Sequence, residues 1–271
     1  MIKIEHFTFN AFQTCCSVVW DKDGNCAFVD PGNHSERETE EIVSFVRSRS
    51  LKPVCIMLTH GHFDHVLGVA ELAARYDNIP VYMHPADKAT LAGNEYFSKW
   101  FGAPLPASFE TVDICEACLS EGCTDGSSEG CADDSSEGCT DGPDGPHGSE
   151  GLCSSDSCTD GPDGPKCISV IEVGGLRFKV IETPGHTPGG VSFYEPAEKV
   201  LFSGDSLFAG AIGRTDHPGG DYEMLMKSIL GKLVTLEGSV TVFPGHGPCT
   251  DIAREGMTNP FLLPFNEPYE D

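Results

Sequence analysis

No stretch of this 271-residue sequence approaches the run of about 18 apolar residues that a membrane-crossing helix requires. Its start, MIKIEHFTFNAF, lacks the basic segment and continuous apolar stretch of a secretory leader. A cytoplasmic location without membrane attachment is the expectation. Positive charge is scarce: 17 Lys and Arg face 42 Asp and Glu, for a formal net charge of -25. Such a surface repels backbone phosphates, so nucleic acid is not an expected partner. A bound metal cluster would reverse the field locally and leave anionic small molecules admissible. An evenly spread cysteine framework is also missing. The 13 cysteines are odd in number, and eight of them (Cys115, Cys118, Cys123, Cys131, Cys139, Cys153, Cys158 and Cys167) crowd into residues 113–167. That distribution excludes a disulfide scaffold spanning the whole chain.

What remains reads as one folded domain interrupted once. Residues 2–9 and 12–19 alternate like a strand hairpin, and 25–29 like a third strand. ETEEIVSFVRSR (38–49) has helical periodicity, VCIML (54–58) is a buried strand, and 65–76 resumes a helical pattern. PVYMH (80–84) is a short strand, with a helix after Pro85. Residues 113–167 differ in kind. SEGCTDG recurs at 120–126 and 136–142, and CTDGPDGP at 139–146 and 158–165. Almost no apolar side chain other than cysteine lies there, and Gly and Pro oppose long helices and central strands. This is an acidic low-complexity insertion within a single domain over 1–271. Beyond it come two strands across a Gly-Gly turn (167–183), strands at 190–196 and 199–204, a helix at 221–233, a strand at 240–243 and a short helix after Pro248. Strands and helices on both sides of the insertion imply layered sheets covered by helices.

THGHFDH (59–65) places three of the ten histidines within six residues, directly after a buried strand. A strand end is a rigid platform for a loop that carries function. His60 and His62 can reach one ion from that loop. Asp64 and His65, where the next helix starts, can reach a second, and Asp64 suits the positive end of that helix. The competing view is a polar loop with incidental histidines. Against it, three more ligand-type residues end strands beside glycine: His186 in TPGHTPGG (183–190), Asp205 in LFSGD (201–205) and His246 in FPGHGP (243–248). Two sets follow: His60, His62 and His186 for one ion, and Asp64, His65 and His246 for the other. Asp205 bridges them. Imidazole and carboxylate donors suit zinc, manganese or iron better than magnesium.

THGHFDH, TPGHTPGG, LFSGDSLF (201–208), GRTD (213–216) and FPGHG (243–247), in this order, resemble the metallo-beta-lactamase superfamily in its glyoxalase II-like hydrolase branch. The resemblance covers about 1–110 and 168–265. It implies a four-layer alpha-beta/beta-alpha sandwich of the α/β class, and two divalent ions, zinc foremost, with iron or manganese as alternatives. It also implies hydrolysis of a small thioester by a hydroxide held between the ions. Asp64 is the expected catalytic residue, and no Ser or Cys nucleophile is needed. Asp205 resembles the bridging aspartate of the thioesterase-like members. Arg214 and Asp216 look structural, with Asp216 orienting a ligand histidine. Cys15 and Cys16 read as packing thiols. Full-length glyoxalase II enzymes add a helical C-terminal domain that helps bind glutathione. This sequence runs to NPFLLPFNEPYED soon after its last expected helix, so that platform is expected to be missing or replaced.

Two other readings stand beside this one. The persulfide dioxygenase branch resembles the chain in its His/Asp cluster and in GRTD, and implies one iron held by His60, His186 and Asp205. A metal-binding or interaction protein acting through the Cys-rich insertion would rest on the CEAC pair at Cys115 and Cys118.

Overall fold

In this computed structural model the described residues are 2–102, 105–115 and 169–263. They belong to one compact unit comprising Met1–Glu116 and Cys167–Asp271. The insertion expected at 113–167 falls outside the described residues except at its edges. Residues 113–115 are part of the folded unit: Asp113 ends a strand, and Ile114 is fully buried.

The first sheet has six strands in sequence order: β1 (Lys3–Phe9), β2 (Thr14–Trp20), β3 (Asn25–Val29), β4 (Lys52–Met57), β5 (Val81–Met83) and β6 (Val112–Asp113). β1 to β3 are antiparallel neighbours, and β3 to β6 pair in parallel. The second half supplies β7 (Val170–Val173), β8 (Leu176–Glu182), β9 (Val191–Glu195) and β10 (Val200–Gly204). A small hairpin follows, β11 (Leu207–Phe208) with β12 (Ala211–Ile212), and then β13 (Thr241–Pro244) and β14 (Thr250–Asp251). The second sheet runs β14-β13-β10-β9-β8-β7.

Three apolar layers separate four layers of structure. Alternation along β2 sends Cys16, Val18 and Trp20 toward Ile42, Val43 and Val46 of α1 (Glu36–Ser48), and Val19 toward the second sheet. Burying each of those α1 side chains contributes about 1.5–3 kcal/mol. Between the sheets, Val29 and Met57 share a core with Phe178, Phe193 and Phe202. On the far face, Leu201 and Val242 pack with Leu225 of α5 (Tyr222–Ser228), with Ile229 and Leu233 of the π turn that extends it, and with Ile252 of α6 (Ile252–Thr258). The order helix, sheet, sheet, helix is the expected four-layer sandwich.

The helix expected at 65–76 is broken in two, α2 (Phe63–Val66) and α3 (Val69–Arg75). Gly68 sits at the break, where a Cβ would stand 2.0 Å from the Asn33 side chain. The close approach of that loop, which the apolar periodicity does not report, sets the break. α1 begins two residues before the expected position because Ser35 and Glu38 form a capping box there. After Pro85, one 3-10 turn (Pro85–Asp87) leads into α4 (Lys88–Phe101).

Candidate metal centre

All seven predicted residues lie where strands end on one edge of the sandwich. His60, His62, Asp64 and His65 follow β4, His186 follows β8, Asp205 follows β10 and His246 follows β13. β10 and β13 are parallel partners with Gly204 opposite Pro244, which sets Asp205 beside the Gly245–His246 turn. The sheets are joined at this edge: Val191 N–H donates to the Thr59 carbonyl at 2.8 Å, and Cys15 N–H to the Gly245 carbonyl at 2.8 Å.

Among the described residues the donor atoms converge as three overlapping groups, His60–His62–His186, Asp30–His60–His65 and Asp64–His65–His246, each within 4.8 Å. The first and last of these bring together the residues of the two sets expected from the sequence, and the middle one adds Asp30. Asp205 lies between the two expected sets. Its Oδ2 is 3.5 Å from His186 Nε2 and 3.4 Å from His246 Nε2, and its Oδ1 is 3.5 Å from His65 Nε2. Gly245 is required there, because a Cβ at that position would meet Asp205 Oδ1 at 2.1 Å.

Four imidazoles are aimed by an acceptor behind them. His186 Nδ1 donates to the Arg214 carbonyl at 2.7 Å, and His246 Nδ1 to the Phe12 carbonyl at 3.1 Å. The Thr59 hydroxyl donates to Asp30 Oδ2 at 2.6 Å and so accepts from His60 Nδ1 at 3.1 Å. His65 Nδ1 faces the same Asp30 Oδ2 at 3.2 Å. Each contact leaves Nε2 as the nitrogen directed into the site. His62 is turned the other way and presents Nδ1, 3.0 Å from His186 Nε2.

This donor set fits a cation. His60 Nε2 and Asp205 Oδ1 are buried without a hydrogen-bond partner among the described residues. Pairs of imidazole nitrogens face each other, 3.0 Å apart in His62–His186 and 3.2 Å in His65–His246, a spacing that a shared proton or a cation beside them accommodates. Burial pushes the His60, His62 and His186 rings down, His62 to about 3, so their lone pairs are free. Burial also pushes Asp64 up, but His65 and His246 outweigh it and bring Asp64 down to about 2. Asp205 is likewise held well below the carboxylate range, against its burial, by His65 and His246. Burial works to lower His246, but hydrogen bonds to Asp205 and Asp64 raise it to about 11. The two carboxylates thus draw positive charge into a buried site. Among the described residues no sulfur joins the set. Cys15 and Cys16 are buried, and burial first of all raises both thiols, Cys15 to about 11.

Several residues of the site escaped the sequence reading. Asp30 and Thr59 back one histidine in each set. Thr14 Oγ1 donates to Asp64 Oδ2 at 2.7 Å, and Asn10 Nδ2 to the Asp64 carbonyl at 3.1 Å. Asp30 directly follows β3, just before Pro31-Gly32, the same strand-end signature used for most of the ligands, and could have been found by it. His217 lies against both His62 and His186, with ring centroids 4.9 and 4.8 Å away, and its Nε2 is 3.3 Å from His186 Nδ1. One expectation is corrected. The Asp216 carboxylate is taken by the Arg214 guanidinium at 2.9 Å on the exposed surface, and the group that orients His186 is the Arg214 carbonyl.

The family profile described as the metallo-beta-lactamase superfamily matches residues 10–126 and 161–246. Hydroxyacylglutathione hydrolase GloC of Haemophilus influenzae is 31% identical over 262 residues, covering 96% of this chain and 98% of that protein. The crystal structure of the B3 metallo-beta-lactamase BLEG-1 superposes with a TM-score of 0.71 at 29% identity, covering 96% of this chain and all of that one (100%). The structure of TTHA1623 in a di-iron-bound form gives 0.67 at 30% identity, covering 95% and 100%. With this profile spanning most of the described unit, the chain belongs to the metallo-beta-lactamase superfamily.

Proposed function

We propose that this protein is a thioester hydrolase of the hydroxyacylglutathione hydrolase type, with two divalent ions. His60, His62 and His186 would hold one ion, Asp64, His65 and His246 the other, and Asp205 both. The observation that carries the reading is the position of Asp205 between two complete donor groups. GloC, a hydroxyacylglutathione hydrolase similar along nearly the whole chain, supports the substrate class. Zinc is the proposed metal, and the di-iron form of TTHA1623 makes iron the first alternative to test.

When bound, the ions supply Lewis acidity and lower the pKa of a coordinated water to about 7. The protein's own part is to hold the nucleophile and exclude solvent. Asp64, fixed by Thr14 and kept ionised, orients the attacking water through its carboxylate. The thiolate set free has a pKa near 8.5, so no side chain need protonate it. A mononuclear iron site built on His60, His186 and Asp205 leaves Asp64, His65 and His246 without a task, and the dinuclear reading uses them.

The test is a panel of small thioesters, S-lactoylglutathione included, followed by thiol release. Wild type should cleave at least one member, and His62→Ala should lower kcat/KM by about 100-fold or more. Absence of cleavage together with oxygen consumption on glutathione persulfide would replace this reading with the dioxygenase.

A further inference from the structure

Asp87 is a fully buried carboxylate outside both donor groups. Its four hydrogen-bond partners carry no charge. Gly61 N–H donates to Oδ2 at 2.6 Å, and Thr187 Oγ1 to the same oxygen at 2.9 Å. Gly189 N–H donates to Oδ1 at 2.7 Å, and Thr90 Oγ1 at 3.3 Å. A carboxylate so deep is costly unless its oxygens are well occupied, and an apolar side chain would fill the same space without that cost. Its partners show what it does. Gly61 lies between His60 and His62. Thr187 and Gly189 belong to the turn that carries His186. Asn94 of α4 holds the other side of the Gly61 peptide, donating to its carbonyl at 2.9 Å.

We propose that Asp87 is a positioning residue that ties the two loops of the His60–His62–His186 set to each other and leaves the other set untouched. The proposal rests on the dinuclear reading above. The three ligands of this set come from two loops at the ends of different sheets, and one carboxylate joins those loops. The second set is held by different groups: Asp64 by Thr14, His65 by Asp30 and His246 by the Phe12 carbonyl. A general loss of packing would weaken both sets together. Loss of this clamp weakens one.

The experiment is zinc binding to the full chain by competition with a chromogenic chelator, for wild type, Asp87→Asn and Thr187→Val. Asp87→Asn should bind one of the two ions about 10–100-fold more weakly, the range for groups that support metal ligands, with the other ion unchanged. Thr187→Val removes one donor and should weaken the same ion by less, which keeps the test open if Asp87→Asn does not fold. Adding His246→Ala to Asp87→Asn should release the remaining tight ion, whereas adding His186→Ala should leave it bound. If both variants hold both ions as wild type does, or lose both in parallel, the proposal is overturned while the dinuclear reading stands. If wild type itself takes up fewer than two ions, the dinuclear reading fails and takes the proposal with it.

Discussion

The imidazoles of this site differ less in themselves than in what stands behind them. Thr59 and Asp30 back His60, Asp30 faces His65, and backbone carbonyls back His186 and His246. Asp30 is unusual among these supports because it serves one histidine from each donor group. Asp30→Asn should therefore weaken both ions, each by about 10–100-fold, in contrast to Asp87→Asn. Chelator competition on the two variants side by side checks this, and selective loss of one ion from Asp30→Asn would contradict it. His60, His62, His186, Asp205 and His246 were legible in the sequence because each follows a strand beside glycine, and Asp64 and His65 because they open the helix after the first such loop. Their supports were mostly not. Thr14, Asp87 and His217 are separated from their partners by 50, 100 and 31 residues, and no local pattern ties a buried carboxylate to a loop that distant.

Among the elements, α1 shows how far local chemistry decides. Ser35 caps its first turn, and Glu38 returns hydrogen bonds to the backbone N–H groups of Ser35, His34 and Asn10. Partial burial pushes the Glu38 carboxyl up, but these hydrogen bonds and the His34 ring outweigh it and take it from 4.5 to about 2. A carboxyl lowered on folding stabilises the protein above its unfolded pKa, and the contribution fades as pH falls through the folded value. Glu38→Gln should cost about 1 kcal/mol at pH 7. Its urea-unfolding midpoint should approach that of wild type as pH drops from 4.5 toward 2. A gap between the two that stays constant over this range would refute the assignment. Apolar periodicity found the longer strands and α1 but carried a helix through Gly68. It also missed the β11–β12 hairpin, whose two-residue strands are too short to show a period.

At the scale of the molecule, three cores hold two sheets whose ends meet at one edge, and the candidate centre sits on that meeting line. Ions bound there would tie the sheets together. A ligand that binds only the folded state at about 100 times its Kd adds about 2.7 kcal/mol, and each kcal/mol raises Tm by about 2–4 °C in a protein near this size. Zinc should raise Tm accordingly, and a chelator should reverse the rise. A Tm that zinc leaves unmoved would count against a bound centre. The layered architecture was legible because helices and strands recur on both sides of residues 113–167. The break within 63–75 was not, because the close approach of Asn33 to Gly68 leaves no trace in the apolar periodicity. Among the described residues no helix is long and apolar enough to cross a membrane.

The most direct measurement is anomalous diffraction at the zinc edge from crystals of the zinc-loaded full chain. Two peaks are expected, one among His60 Nε2, His62 Nδ1 and His186 Nε2, the other among Asp64, His65 and His246, with Asp205 between them. A single peak, or peaks away from these atoms, would contradict the dinuclear reading.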